Sequence, residues 1–204
     1  MLAIFFAEWF IWIIPAMIGI GWLVGNEATR RMMLVAAVSG LSGLIVNSLI
    51  GLAWPHPRPF MIGLGHTLIP HVADPSFPSD HLTLWWAVAF SFLLQRGRRK
   101  TGSAMALSGI PIAWARIYLG VHFPFDMLGA VAVSIFSAWL ALRTAGWYLE
   151  PTYQRAIRTQ DLLFGRLITR GWIRNESGSG SIVYELHHEQ HVQKPGERDW
   201  KLRS

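Results

Sequence analysis

The chain has 204 residues, room for one domain, and 52% of them are apolar while only 15% are charged, against about a quarter in ordinary soluble domains. Of its 18 basic and 12 acidic residues, 9 and 7 lie from Leu149 onward, so the first 148 positions carry too little charge for a water-soluble globule. The net charge of +6 reads as membrane-surface affinity and not as a nucleic-acid footprint, and the absence of cysteine excludes disulfides, thiol redox chemistry and thiolate metal sites.

Crossing ~30 Å of hydrocarbon takes about 20 apolar residues. Five stretches are expected to span: Leu2 to Val24, Met32 to Trp54, Leu82 to Leu94, Ser103 to Leu119 and Met127 to Tyr148. The fold class is therefore an all-α transmembrane helix bundle. The first stretch is too long for a signal-peptide core, has no basic leader or small-residue cleavage site, and is expected to stay as an anchor.

Arg30 and Arg31 follow the first span, Arg96, Arg98, Arg99 and Lys100 follow the third, and Arg143 ends the fifth. Basic residues of short loops stay in the cytoplasm, which puts the N-terminus outside. Trp22 and Trp147 then fall near the inner boundary and Trp54, Trp85 and Trp86 near the outer one, as a belt or as helix-interface filling.

Beyond the membrane part, residues 1–148, the stretch Arg155 to Arg174 mixes five arginines with apolar residues and reads as a helix on the anionic inner leaflet, within a basic segment 149–176. Residues 177–204 read as a polar flexible tail on the cytoplasmic side, in which His187, His188 and His191 are expected to be solvated, the alternative being a weak metal site. The partners so implied are membrane lipids and a lipid substrate.

Only Arg58 and Arg116 remain on the outer side, where an arginine at the bilayer edge needs a partner. Arg58 sits in WPHPRPF after the second span, Pro78-Ser79-Asp80-His81 precedes the third, and Arg116, His122 and Asp126 bracket the connection between the fourth and fifth. The topology, read from the inner loops alone, places all three groups on one face. Arginine's planar fork suits phosphate, and Ser79 is expected to cap the third span with the following N–H groups aimed at the same anion. Pro124 suits a first helical turn, so His122 stands at a helix mouth and Asp126 in that turn. The carboxylate can hold one ring nitrogen while the other attacks phosphorus.

The pattern Arg58-Pro59, Pro78-Ser79-x-His81 and Arg116-x5-His122-x3-Asp126 resembles the three-part signature of the type-2 phosphatidic acid phosphatase superfamily. HPRPF, HTLIPH and FPSDH resemble its bacitracin-resistance type of undecaprenyl pyrophosphate phosphatases, over residues 5–148. The resemblance implies that His122 takes the phosphoryl group, Asp126 activates it and His81 protonates the leaving oxygen, with Arg58, Ser79 and Arg116 as phosphate ligands. It implies no cofactor and no metal. Three departures stand out: Gly51 occupies the position of a usual lysine, Asp80 that of a glycine and Ala115 that of a serine. The superfamily core also has six spans where five are found.

Further candidates surround this set. Glu8 and Asn47 lie within spans, able to bond each other or to reach the bottom of the site. His66 and His71, on the loop from Phe60 to Phe77, could hold the distal phosphate in place of the missing lysine, becoming cationic near acidic pH, or could tie the loop to carbonyls. His56, His66, His71 and Asp74 match no metal-ligand spacing. Ser76 reads as an accessible loop position. The expected function is hydrolysis of undecaprenyl pyrophosphate in the plasma membrane, with the site facing outward. The alternatives are a phosphatase or phosphotransferase for phosphatidic acid, phosphatidylglycerophosphate or another lipid phosphate, and a lipid-phosphate transporter.

Overall fold

A computed structural model describes the backbone of residues 1–64 and 67–169, with side chains as far as 164. His66 and the tail histidines His187, His188 and His191 lie outside the described residues. Two units divide the chain, Met1–Ala156 and Ile157–Ser204. The first contains the helical core and all the site residues discussed below.

Five long helices and their connections make up the described residues: α1 (Leu2–Val24), α2 (Glu27–Ala53), α3 (Asp80–Leu94), α4 (Arg99–Tyr118) and α5 (Pro124–Thr169). A 3-10 turn, Pro59–Ile62, interrupts the long α2–α3 loop. α1, α2 and α5 are long and apolar enough to cross a membrane, and α3 is apolar but shorter. α2 starts about a turn before the expected span because Asn26 Oδ1 accepts from Thr29 N at 3.0 Å, closing the helix start with a side-chain cap. α5 continues past residue 148, so the boundary expected there falls inside a helix.

α3 is the hub of the core. Its Leu82, Trp85, Val88 and Phe92 are buried against Ile14 of α1, Met33 and Ala36 of α2, Met105 and Ile112 of α4, and Met127 and Ala130 of α5. In lipid, helices gain little from hydrophobicity against one another, and close approach and interhelical hydrogen bonds take over. Both devices are present. A Cβ on Gly43 would lie 2.9 Å from Thr83 Cγ2, and one on Gly109 would lie 2.2 Å from Trp86 Nε1. Ser39 Oγ donates to Ala87 O at 2.8 Å and Ser134 Oγ to Thr83 O at 3.0 Å.

Trp85 and Trp86 correct the belt expectation. Both are buried, and their indole N–H groups donate to Met105 O at 2.7 Å and Ala106 O at 3.0 Å, so they stitch α3 to α4. Trp54 and Trp147 are surface residues.

The connections sort to two ends. Gly25 and Asn26 join α1 to α2, and a turn through Gly97 at φ 81° joins α3 to α4. The α2–α3 loop and the α4–α5 connection meet at the other end, where Leu68 N donates to Leu119 O at 3.1 Å and Ser79 N to Asp126 O at 3.4 Å.

Candidate active site

The site is built where that loop, the α4–α5 connection and the first turns of α3 and α5 converge. Gly120 at φ 74° turns the chain sharply after α4, which brings His122 back toward Arg116, six residues earlier. Asp126 lies in the first turn of α5, where the free N–H groups of the helix start favour a carboxylate.

Asp126 Oδ2 accepts from Phe123 N at 2.8 Å and from His122 Nδ1 at 3.0 Å. In the neutral ring the proton therefore sits on Nδ1, and Nε2 carries the free lone pair. That nitrogen is 3.1 Å from Arg58 Nη1 and 3.5 Å from Arg116 Nη2. Burial pushes the His122 imidazole well below its ordinary value, the hydrogen bond to Asp126 opposing and the two arginines reinforcing the shift. The resting ring is neutral, with the lone pair of Nε2 between two guanidinium groups.

Arg58 is locked. Its Nε donates to Asp74 Oδ1 at 2.9 Å and Asp74 O at 3.1 Å, Nη1 to Val121 O at 2.9 Å and Nη2 to Pro75 O at 3.3 Å. The same guanidinium thus fastens the loop to the α4–α5 connection and faces His122. Arg116 donates from Nη1 to Ala7 O at 3.3 Å and Glu8 Oε1 at 3.2 Å, and from Nη2 to His71 Nε2 at 3.0 Å. Its Nε is buried and has no hydrogen-bond partner.

Ser79 occupies the N-cap position of α3, but its side chain makes no cap bond. Its Oγ is fully buried and unpartnered, which corrects the capping expectation. A buried hydroxyl without a partner costs energy that a bound anion would recover. His81 is half-buried in the first turn of α3, within electrostatic reach of Arg116, His122, His71 and Arg58.

Glu8 and Asn47 do not bond each other in the way one reading of the sequence allowed. Glu8 reaches Arg116, whereas Asn47 Nδ2 donates to Asp80 Oδ1 at 2.8 Å and Thr83 Oγ1 at 3.0 Å and so ties α2 to the start of α3. Asp80, in place of the usual glycine, is one of that amide's partners. His71 joins the site through Arg116. Its Nδ1 donates to Val72 O at 3.0 Å, and burial, with Arg58 and Arg116 adding to it, lowers its affinity for a proton. A cationic His71 near mildly acidic pH is therefore disfavoured in the resting site.

Ser76 is the residue that sequence reasoning missed. Far from being accessible, it is fully buried, and its Oγ donates a short hydrogen bond to Asp126 Oδ2 while lying 3.4 Å from His122 Nδ1. Its backbone N–H donates to His56 O at 2.8 Å. No spacing marks such a residue; the only hint is a hydroxyl close to the FPSDH segment.

The sequence profile of the PAP2 superfamily matches residues 31–149. The chain is 38% identical over 146 residues to the undecaprenyl-diphosphatase BcrC of Bacillus subtilis (strain 168), covering 72% of this chain and 74% of that one. It is 36% identical over 177 residues to the putative undecaprenyl-diphosphatase YbjG of Escherichia coli (strain K12), covering 85% and 87%. Among solved structures the fold resembles Aquifex aeolicus LpxE, with a TM-score of 0.56 at 20% identity over 70% of this chain and 86% of that one.

Proposed function

The chain belongs to the PAP2 superfamily and is a membrane lipid phosphatase, and on that premise we propose that it hydrolyses undecaprenyl pyrophosphate to undecaprenyl phosphate and inorganic phosphate through a phosphohistidine on His122. One observation carries the mechanism. His122 Nδ1 is held by Asp126, leaving Nε2 between the guanidinium groups of Arg58 and Arg116. The substrate assignment rests on the two undecaprenyl-diphosphatase relatives.

In this reading the terminal phosphate enters between the arginines, taking hydrogen bonds from Arg116, from the unpartnered Ser79 hydroxyl and from the free N–H groups at the start of α3. His122 Nε2 attacks phosphorus in line as the bond to the bridging oxygen breaks. The leaving undecaprenyl phosphate takes a proton from His81. Asp126 stabilises the positive charge that develops on the ring. Water then attacks the phosphohistidine, His81 takes its proton, and inorganic phosphate leaves with Nε2 restored. Preorganised cations around the transferring group supply the electrostatic stabilisation that phosphoryl transfer requires.

Orientation follows from charge. The cluster Arg96, Arg98, Arg99 and Lys100 lies at the end of the bundle opposite His122, so the site faces the periplasm or cell exterior of a plasma-membrane protein with five spans. Residues 1–148 then carry catalysis, the basic segment 149–176 contacts the inner leaflet, and the tail 177–204 is cytoplasmic.

The test is phosphate release from purified protein across a panel of lipid pyrophosphates and monophosphates, with rapid quenching to trap an acid-labile phosphoprotein. The wild type is expected to accumulate label on undecaprenyl pyrophosphate and His122→Ala to show neither label nor turnover. Near-normal turnover by His122→Ala would overturn the mechanism, and a preference for phosphatidic acid would overturn the substrate.

A further inference from the structure

Glu8 is an acidic side chain held against this site by Arg116 that the reaction above does not use. It lies in α1, whose Phe5, Trp9, Trp12 and Ile20 are exposed as lipid-facing residues are, and a carboxylate in such a helix needs a partner. α1 departs from α-geometry at this place. Phe5–Trp9 is a π-turn, with Phe10 N–H reaching back to Phe5 O, and Phe10–Trp12 is a 3-10 turn. Interruptions of this kind concentrate at functional sites. Here the π-turn presents two acceptors, Ala7 O and Glu8 Oε1, to a single donor, Arg116 Nη1, at 3.3 and 3.2 Å.

The consequence lies at the other end of the guanidinium. With Nη1 engaged by α1, Nη2 donates one hydrogen to His71 Nε2 at 3.0 Å and faces His122 Nε2 at 3.5 Å, and Nε is buried without a partner. Nε and Nη2 together form the fork that grips an anion in two-point fashion. The Arg116 side chain is 1% exposed and the Glu8 side chain 43%, so the carboxylate closes the arginine's rear while remaining open on its own far side.

We infer that Glu8 is a positioning residue for Arg116, aiming its Nε and Nη2 fork at the phosphate on His122 and, through its negative charge, moderating the grip so that phosphate product leaves. The inference rests on the phosphate-binding role proposed for Arg116. Glu8 does not touch the reacting atoms; it acts through the arginine.

The test uses the full-length protein purified in detergent, with orthovanadate as the probe of the phosphate site alongside steady-state kinetics. Glu8→Gln keeps the volume and an accepting oxygen but removes the charge. Its kcat/KM is expected within about tenfold of wild type, with vanadate bound about fivefold tighter, as follows from losing one nearby, partly screened negative charge. Glu8→Ala releases Nη1 and is expected to lose about 10- to 100-fold in kcat/KM, the loss of one charge-assisted hydrogen bond, with vanadate bound more weakly. If Glu8→Ala does not fold, the tighter vanadate binding of Glu8→Gln decides alone. Equal vanadate affinity in wild type and Glu8→Gln would overturn the inference. So would a loss of turnover in Glu8→Gln as severe as in Glu8→Ala. Failure of the wild type itself to bind vanadate would instead overturn the phosphatase reading.

Discussion

Ser76 and Asp126 share a buried hydrogen bond: the serine hydroxyl donates to Oδ2, the same oxygen that holds His122 Nδ1 at 3.0 Å. The hydroxyl fixes the carboxylate's rotation and stabilises its charge. Ser76→Ala is expected to lower kcat about tenfold, the loss of one charged hydrogen bond, with KM nearly unchanged. The sign of the pH effect also follows. Without that donor the carboxylate pulls harder on the Nδ1 proton, the imidazolium is favoured, and the affinity of His122 for a proton rises from its depressed value. The acid limb of kcat/KM, which requires neutral His122, should move to higher pH in the variant. An unmoved limb with reduced thermal stability would make Ser76 a packing residue only.

Arg58 and Arg116 face the same nitrogen but differ in what else they hold. Arg58 fastens Asp74, Pro75 and Val121, whereas Arg116 has only α1 and His71 behind it. A lysine cannot reproduce either fork. Arg116→Lys should therefore lose at least about 100-fold in kcat/KM with the melting temperature nearly retained. Arg58→Lys should lose both activity and several degrees of thermal stability, because a buried charge network is broken. Thermal unfolding in detergent beside kinetics separates them, and equal melting of the two variants would contradict the division.

Which parts were legible in the sequence follows from this chemistry. Ser79, Arg116, His122 and Asp126 were legible because each sits at or beside a helix end, where spacing and topology fix position, and Arg58, in the α2–α3 loop, because charges are rare in an apolar chain. Ser76 was hidden because a loop hydroxyl bonded across 50 residues leaves no periodic trace. Trp85 and Trp86 were ambiguous because an indole serves equally at an interface belt and in a core where its N–H finds a carbonyl. Apolarity puts the end of the fifth span at Tyr148, but a helix need not stop where its apolar run does, and α5 runs on through Pro151. Asn47 was legible as a buried polar group, though not as the partner of Asp80.

Topology is testable because the native chain has no cysteine. Ser76 is unsuitable as an outer probe, being buried and engaged with Asp126, and Gly97 is unsuitable as an inner one, since its φ of 81° would strain a side chain. Val72, 75% exposed on the α2–α3 loop, and Arg96, exposed in the α3–α4 turn, are the better pair. In intact cells Val72→Cys is expected to react fully with a membrane-impermeant thiol reagent and Arg96→Cys only after permeabilisation. The reverse pattern would place the site in the cytoplasm and end the outward-facing reading.

His71 bears on how a diphosphate is held without a lysine at Gly51. A Cβ at Gly51 would sit 3.4 Å from Pro75 Cβ, so the loop packs where the lysine would begin. His71 stands close by Arg116, but both of its nitrogens are engaged: Nδ1 donates to Val72 O, and Nε2 accepts from Arg116 Nη2. The ring is held below its ordinary proton affinity, chiefly by burial, so it remains neutral at the pH where free imidazole would begin to charge. A neutral ring with no N–H to spare supports the arginine and does not grip the second phosphate itself. His71→Ala should then lower turnover of lipid pyrophosphate and lipid monophosphate by the same factor, about tenfold. His71→Gln, whose amide oxygen can accept from Arg116, should restore much of both. Kinetics on the two substrate classes decide the matter: a loss confined to pyrophosphate, unrescued by glutamine, would make His71 a direct ligand of the second phosphate.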